Sequence, residues 1–346
     1  MSAEVFDNPN RVAQDLESLR GWLPVDAVIS DGRPGLLWMD LRDVELSEPL
    51  FQQTVERVRS RQARQVEKFT EFDTLLQFEK ITDSLRPDGF IFHSSRCGST
   101  LVANACRSLT DSIVISEAAA IDKLAVRFIT DVPEKEGVRE ILYSVFLRGV
   151  VNALGQRCSQ RKRRYFVKFA CCSVFVLDRI LRIWPDVPWV FVYRNPVETI
   201  VSNLANVPDW MLDPDSRVLA KILNTSPDEI EVMSREELCA RAIGSFYTVA
   251  CQLANDRSML LNYDQLAEAS LLRIVEFFDV SPSKEEVDAI KRTKLIYSKD
   301  ASLNRAFIPD TEAKQSKASE LIKQMSATWA DEPYRLLELK RSQTDG

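Results

Sequence analysis

A short run of small polar residues separates an apolar segment from a helical pattern in the first third of the chain. Residues 94–100 read Ser-Ser-Arg-Cys-Gly-Ser-Thr; they follow the apolar residues 90–93, and the helical pattern begins at Leu101. Because such a turn lacks bulky side chains, its backbone N–H groups can converge on an anion at the positive end of a helix. The pattern predicts a site for a phosphate or sulfate group. A plain strand-turn-helix connection is the alternative.

The loop differs from the one that binds nucleoside triphosphates. That loop needs GxxxxGK[ST], in which the lysine reaches the terminal phosphates and the hydroxyl holds magnesium. In this chain Gly98 is followed by Ser99, and the cation comes before the glycine, at Arg96. A kinase-like nucleotide-binding protein therefore stays only an alternative.

A second candidate site follows the apolar residues 189–193. Arg194 comes directly after them, and Asn195 with Pro196 is typical of a helix start, with Glu198 at the reciprocal capping position. A helix from Pro196 carries Ser202 about 10 Å along its axis. These residues predict either an anion site or ordinary helix capping followed by a helical serine.

Short apolar segments alternate with helical patterns through the middle of the chain. The segments are residues 90–93, 113–115, 165–169, 189–193 and 259–263. Such alternation predicts an α/β fold, a doubly wound parallel sheet flanked by helices. Ligands of these sheets bind at the carboxyl ends of the strands, so residues at those ends are the candidates for function.

The first 85 residues show a different pattern. A strand-turn unit around residues 29–35 and helices over residues 48–64 and 71–84 predict a small α+β N-terminal extension of unknown role (residues 1–85). Residues 86–346 are predicted to form the α/β domain. Its helical C-terminal part is predicted at residues 265–278, 284–292, 311–325 and 332–340.

Composition limits the class of protein. The chain has 346 residues, of which 45% are apolar and 28% charged, as in globular proteins. A net charge of −6 disfavours a nucleic-acid partner. The seven cysteines show no CxxC spacing, which disfavours a disulfide framework or zinc site and fits a cytoplasmic protein. No stretch approaches a membrane span, and the N-terminus does not resemble a signal peptide.

The two polar motifs together resemble those of sulfotransferases that use 3′-phosphoadenosine-5′-phosphosulfate (PAPS). Residues 94–100 are similar to the 5′-phosphosulfate loop, and the eight-residue spacing from Arg194 to Ser202 is similar to the 3′-phosphate motif. The Tyr-Asp-Gln-Leu stretch at residues 263–266 resembles a Tyr-Glu-Asp-Leu stretch common in the family. The resemblance covers residues 89–263 and implies a P-loop-type fold.

The resemblance also implies which residues bind the donor. Arg194 and Ser202 would hold the 3′-phosphate, and Arg96 would take the place of the loop lysine or arginine. Lys299, with Ser298, could stand in for a C-terminal Arg-Lys-Gly clamp, although that motif itself is absent. The 5′-phosphosulfate would lie on the backbone and hydroxyl groups of Cys97, Gly98, Ser99, Thr100 and Leu101.

The general base is expected to be a carboxylate. Small-molecule sulfotransferases use a histidine further along the chain, but the single histidine here, His93, closes the segment before the loop, and we interpret it as structural. Glu117 lies twenty-one residues after Arg96 and resembles the catalytic glutamate of the tyrosylprotein sulfotransferase branch. It is predicted as the base, the alternative being a carboxylate at a helix start.

Lys168 completes the predicted catalytic set of Glu117, Arg96 and Lys168. It ends the segment that starts at Tyr165 and resembles a lysine that contacts the transferring group, with a role on the leaving oxygen. A surface lysine is the alternative. The basic residues 161–164 lie at the other end of that strand and are interpreted as a solvated face.

The resemblance implies transfer of a sulfuryl group from PAPS, without a metal, to a hydroxyl or amine. The acceptor, whether a small molecule, a glycan or a peptide, and the oligomeric state do not follow from the sequence. The remaining alternatives are a kinase-like nucleotide-binding protein and a non-catalytic member of the fold.

Overall fold

Three antiparallel strands form a small sheet near the N-terminus of the computed structural model, which describes residues 18–61, 67–78, 83–131, 137–157, 162–212, 216–293 and 311–344. Strands β1 (Trp22–Ser30) and β2 (Arg33–Asp40) form a hairpin, and β3 (Glu67–Glu71) pairs with β2. Asp31 and Gly32 both have positive φ, as a two-residue Asp-Gly hairpin turn requires. Helix α1 (Phe51–Arg61) lies between β2 and β3 in the chain.

The helix predicted over residues 71–84 is wrong at both ends of the described residues. Residue 71 ends β3, a single 3₁₀ turn follows at Phe72–Thr74, and the described part of helix α2 is Leu75–Phe78. Ser84 forms a β-bridge with Gln156. The backbone hydrogen bonds of residues 67–71 come from pairing of β3 with β2, which a local helical pattern does not predict. Tertiary pairing therefore overrides the local helix propensity.

A five-stranded parallel sheet forms the centre of the protein, in the order β5-β6-β4-β7-β8. The strands are β4 (Gly89–His93), β5 (Ser112–Ser116), β6 (Arg164–Lys168), β7 (Trp189–Tyr193) and β8 (Ser258–Asn262). Every adjacent pair is parallel. The predicted α/β class with a doubly wound sheet is confirmed, and all five carboxyl ends meet at one edge.

Helices follow or connect these strands. They are α3 (Ser99–Arg107), α4 (Ala119–Asp131), α5 (Val138–Leu154), α6 (Leu177–Ile183), α7 (Pro196–Ala205), α8 (Asp209–Leu212), α9 (Ser216–Leu223), α10 (Pro227–Val232), α11 (Arg235–Leu253), α12 (Glu268–Phe277), α13 (Lys284–Thr293), α14 (Thr311–Lys317), α15 (Glu320–Trp329) and α16 (Asp331–Thr344). The helix predicted over residues 311–325 is interrupted, because Ser319 caps the start of α15. None of the described helices is both long and apolar enough to cross a bilayer.

Alternate residues of β4 pack into different cores, as the two-residue period of a strand requires. Phe90 and Phe92 join one apolar cluster, where Phe92 stacks on Phe169 at 4.7 Å between ring centroids. Ile91 joins the cluster on the other face with residues of α3 and α12. Because both faces are covered, the polar residues that end the strands are held on a rigid edge.

The basic residues 161–164 are not simply a solvated face, at least in their described part. Arg164 pairs with Asp111 and with Glu286, each at 3.1 Å. Lys162 donates a hydrogen bond to the Ser112 carbonyl at 2.6 Å. These contacts tie the amino-terminal ends of β5 and β6 to α13, far from the edge where the strands end.

The N-terminal sheet contacts the α/β part of the chain. Gln156, just after α5, donates to the Trp22 carbonyl at 2.6 Å and accepts from the Gly21 N–H at 2.9 Å. Lys123 of α4 pairs with Asp26 of β1 at 2.6 Å. The division into residues 1–85 and 86–346 stays a prediction.

Candidate active site

Four adjacent strands carry a polar residue at or just after their carboxyl ends. His93 ends β4, Glu117 follows β5, Lys168 ends β6 and Arg194 follows β7. In the sheet Ser116 is level with Lys168, and His93 is level with Val192 of β7. The parallel arrangement therefore gathers residues that lie up to about a hundred positions apart in the sequence.

Glu117 and Lys168 form an ion pair. The Lys168 ammonium donates to Oε1 of Glu117, and the Glu117 backbone N–H donates to the Lys168 carbonyl at 2.7 Å. The Lys168 side chain is 1% exposed and that of Glu117 is 26% exposed. Glu117 also has a φ of 52°, an uncommon conformation for a residue with a side chain, and such conformations concentrate at functional sites.

The environment of Glu117 keeps its carboxylate ionised. Burial raises its pKa, but the positive charge of Lys168, the nearby His93 imidazole and the hydrogen bond from Lys168 more than offset that effect. The net result is a pKa well below the ordinary value for glutamate. The carboxylate is thus able to accept a proton at neutral pH, but it is a weak base while Lys168 is paired with it.

His93 lies next to Glu117 rather than only within the core. Its Nε2 is 3.3 Å from Glu117 Oε1, and its Nδ1 accepts the Ser95 N–H at 3.1 Å. The side chain is 8% exposed. The interpretation of His93 as purely structural therefore missed a contact with the predicted base, which the position of His93 at the strand end could have suggested.

The loop before α3 is built from residues in left-handed conformations. Ser95, Arg96 and Gly98 have φ values of 69°, 48° and 86°. The backbone N–H groups of Cys97, Gly98 and Thr100 have no acceptor among the described residues. Conformations of this kind turn successive N–H groups toward one point, which is how a backbone binds an anion.

Gly98 is required by the packing as well as by its φ. A Cβ at this position would lie 2.6 Å from Leu266 Cδ1 and 3.0 Å from Tyr263 Cδ2. The segment that resembles the family's Tyr-Glu-Asp-Leu stretch therefore presses on the loop from the end of β8.

Three side-chain contacts fix the loop. The Ser95 hydroxyl donates to Asn203 Oδ1 and the Cys97 thiol to the Val192 carbonyl, both at 2.9 Å. Burial raises the pKa of Cys97, which keeps it a neutral donor. Arg96 donates through Nη2 to the Asn206 carbonyl, while its buried Nε has no hydrogen-bond partner among the described residues.

The remaining predicted loop residues lie at the start of α3. Ser99 and Thr100 are buried in its first turn. The Leu101 N–H donates to the Gly98 carbonyl at 2.9 Å, so it closes the turn. The Leu101 N–H is therefore already engaged within the protein.

Arg194 is held inside the protein by a carboxylate and a ring. It is 2% exposed, its Nε and Nη2 lie 2.7 and 2.6 Å from Glu198 Oε2, and its guanidinium carbon is 3.9 Å from the Tyr263 ring centroid. Asn195 caps α7 as predicted, accepting from the Glu198 N–H at 3.4 Å. The Glu198 side chain instead pairs with Arg194, a contact that the four-residue spacing could have indicated.

The two remaining predicted donor-binding residues are Ser202 and Lys299. Ser202 is half-buried two turns into α7. Lys299 and Ser298 fall in residues 294–310, outside the described residues.

Asp122 is a further titratable group near the pair, and the sequence pattern did not single it out. It lies in the first turn of α4, and its buried Oδ1 has no hydrogen-bond partner within the described ranges. Burial and the negative charge of Glu117 raise the pKa of Asp122 to about 8. In the part of the chain that the structure describes, no group of three or more His, Cys, Asp or Glu residues could hold a metal ion.

Solved sulfotransferase structures are similar to this chain in fold. One from Alicyclobacillus acidocaldarius is 15% identical, with 66% of this chain and 99% of that chain covered at a TM-score of 0.37. The sulfotransferase domain from the curacin biosynthetic pathway is 13% identical, covering 71% and 98% at 0.39. A sulfotransferase from Mycobacterium tuberculosis is 13% identical, covering 93% and 99% at 0.39.

No family model matches the chain, and no curated protein matches it.

Proposed function

We propose that this chain is a sulfotransferase that moves a sulfuryl group from PAPS to a hydroxyl or amine, with Glu117 as general base. One observation carries the proposal: the ionised Glu117 carboxylate, paired with Lys168 and contacted by His93, stands beside a loop in which three N–H groups, those of Cys97, Gly98 and Thr100, have no acceptor among the described residues. A proton acceptor, a cation and an anion site on one rigid edge are the parts that group transfer to an acceptor oxygen or nitrogen needs.

The loop residues fit an anionic donor. The N–H groups of Cys97, Gly98 and Thr100 would bind oxygens of the 5′-phosphosulfate, together with the hydroxyls of Ser99 and Thr100. Arg96 supports this assignment, because a buried guanidinium nitrogen without a partner is costly unless a ligand satisfies it.

The part of the proposed site that would bind the 3′-phosphate carries less positive charge than Arg194 alone would give it. Arg194 and Ser202 would contact the 3′-phosphate, but Glu198 already neutralises Arg194. We expect Ser202 and neighbouring polar groups of α7 to contribute polar contacts to the 3′-phosphate. We also expect the Arg194 guanidinium to contact both Glu198 and the phosphate. Lys299 would add a positive charge to that end.

The proposed reaction is an in-line displacement. A bond forms between the acceptor atom and sulfur, the bond from sulfur to the 5′-phosphate oxygen breaks, and the acceptor proton passes to Glu117. Lys168 would neutralise charge on the departing oxygen. As Lys168 turns from Glu117 toward that oxygen, the carboxylate loses the charge that lowers its pKa, so its basicity rises when the proton is transferred.

Binding and turnover test the proposal separately. The product 3′-phosphoadenosine-5′-phosphate (PAP) should raise the unfolding temperature, since a ligand at one hundred times its Kd adds about 2.7 kcal/mol. ATP should raise it less. Mass spectrometry of an acceptor panel with labelled PAPS then tests transfer, and Glu117→Gln should keep PAP binding while losing turnover.

The same assays identify the alternatives. Equal stabilisation by PAP and ATP, with magnesium-dependent ATP turnover, would support a kinase-like protein instead. PAP binding without transfer to any acceptor would support a non-catalytic member of the fold.

A further inference from the structure

His93 connects the anion loop to the predicted base. The Ser95 N–H, inside the loop, donates to His93 Nδ1 at 3.1 Å, and His93 Nε2 lies 3.3 Å from Glu117 Oε1. The ring is nearly buried, and the Ser95 hydroxyl is itself tied to Asn203 of α7 at 2.9 Å. A movement of the loop at Ser95 would therefore displace the imidazole ring and, through the ring, the Glu117 carboxylate.

The two contacts define the proton on the ring. An imidazole nitrogen that accepts a hydrogen bond carries no proton, so a neutral His93 holds its proton on Nε2. That nitrogen lies 3.3 Å from Glu117 Oε1, and Oε1 is also the atom that Lys168 contacts. With Nδ1 accepting from Ser95 and the Nε2 proton on the side of Glu117, the ring is not arranged to take a proton from an acceptor. His93 is therefore not the base.

We infer that His93 is a positioning residue, which orients the Glu117 carboxylate and couples its position to the donor loop. This inference rests on the proposed function. Because the ammonium donates to Oε1 and the imidazole Nε2 lies 3.3 Å from the same oxygen, Oε2 is the oxygen left to meet an acceptor proton. A donor that orders the loop holds Ser95, and so holds the ring and the base in the same geometry.

The single histidine allows a direct test by NMR. In full-length protein without a histidine tag, ¹⁵N-labelled histidine gives one imidazole spin system. We expect the neutral Nε2–H form near pH 8, a change of the Nε2 resonance in Glu117→Gln, and a change of the Nδ1 resonance when PAP is added. A neutral Nδ1–H form, or an Nε2 resonance that Glu117→Gln leaves unchanged, would overturn the inference.

Two substitutions separate the two contacts of the ring. The Asn side chain in His93→Asn can accept from the Ser95 N–H but does not reach Glu117, whereas the Gln side chain in His93→Gln can donate to Glu117. We expect His93→Asn to bind PAP within about twofold of the unsubstituted protein while PAP release from PAPS, with water as acceptor, falls about 10- to 100-fold. His93→Gln should recover most of that rate with an unchanged KM for PAPS.

The outcomes distinguish failure of the inference from failure of the proposed function. Full turnover by His93→Asn, or equal loss in both variants, would overturn the positioning role while leaving the sulfotransferase proposal intact. If the unsubstituted protein neither binds PAP nor releases it from PAPS, the proposed function fails. The tautomer and its response to Glu117→Gln then still decide whether His93 holds Glu117.

Discussion

Replacement of Glu117 by glutamine should lower the free energy of unfolding, because it leaves the buried Lys168 ammonium without its charged partner. Lys168 is 1% exposed, and Glu117 is its ion-pair partner. Glutamine has the same shape as glutamate but carries no charge. In Glu117→Gln the ammonium therefore keeps its burial and loses the charge that compensates it. Removing one partner of a buried pair typically costs about 3–5 kcal/mol.

Two features of the site reduce the expected cost. The Glu117 side chain is 26% exposed, so water reaches the pair from one side. Asp122 also responds, because loss of the negative charge at Glu117 lowers the pKa of Asp122 and allows a carboxylate to form near Lys168. We therefore expect Glu117→Gln to lower the free energy of unfolding by about 2 kcal/mol. At about 2.1 cal/mol/K of unfolding entropy per residue, this corresponds to a decrease of about 3 °C in Tm.

Chemical denaturation at pH 7 measures this difference, and a double-mutant cycle supplies the control. Lys168→Met removes the ammonium while keeping the aliphatic stem, so Glu117→Gln should cost much less in that background. The depressed pKa of Glu117 means that the pair's contribution is complete above the ordinary glutamate range and declines as pH falls through and below it.

The reasoning would be refuted by a Glu117→Gln protein as stable at pH 7 as the unsubstituted one. Two other results would refute the reasoning. One is a loss of unfolding free energy from Glu117→Gln that is equally large in the Lys168→Met background. The other is a loss that grows as the pH falls from 7 to 4.

Three other changes follow from the same edge of the sheet. Asp122→Asn should be more stable than the unsubstituted protein by an amount that grows between about pH 4 and pH 8, by up to about 1.4 kcal/mol per pH unit. Over this range the raised pKa makes the folded unsubstituted protein bind a proton on Asp122 that the unfolded chain releases. Thermal unfolding across this pH range measures the difference, and a pH-independent difference would contradict the prediction. Gly98→Ala should weaken PAP binding at least about tenfold in calorimetry, since a Cβ meets Leu266 and φ is positive; unchanged affinity would remove the loop from the site. Arg194→Lys should lower the unfolding free energy by about 1–3 kcal/mol in denaturation, because lysine cannot reproduce two contacts to Glu198 and the stacking on Tyr263; an equally stable variant would show that this geometry adds nothing.

The strand pattern was largely predictable because buried parallel strands are short, apolar and separated by helical periodicity. The predicted segment 189–193 coincides with β7, and β4, β5, β6 and β8 differ from their predicted bounds by one residue at one or both ends. Strand β3 was not predictable in the same way, because its residues have intermediate burial and owe their conformation to pairing with β2. Local sequence carries no record of such a partner.

The candidate site divides along the same line. The sequence by itself determined the loop at residues 94–100, the helix start at Pro196, and the placement of Glu117, Lys168 and Arg194 at strand ends, because these depend on local turn chemistry and strand periodicity. Only the tertiary structure decided that Lys168 pairs with Glu117, that His93 contacts the same carboxylate, that Glu198 neutralises Arg194 and that the pKa of Asp122 is raised. Charge, burial and hydrogen bonding at an ionisable group are set by neighbours from other strands and helices, and those neighbours exist only once the chain has folded.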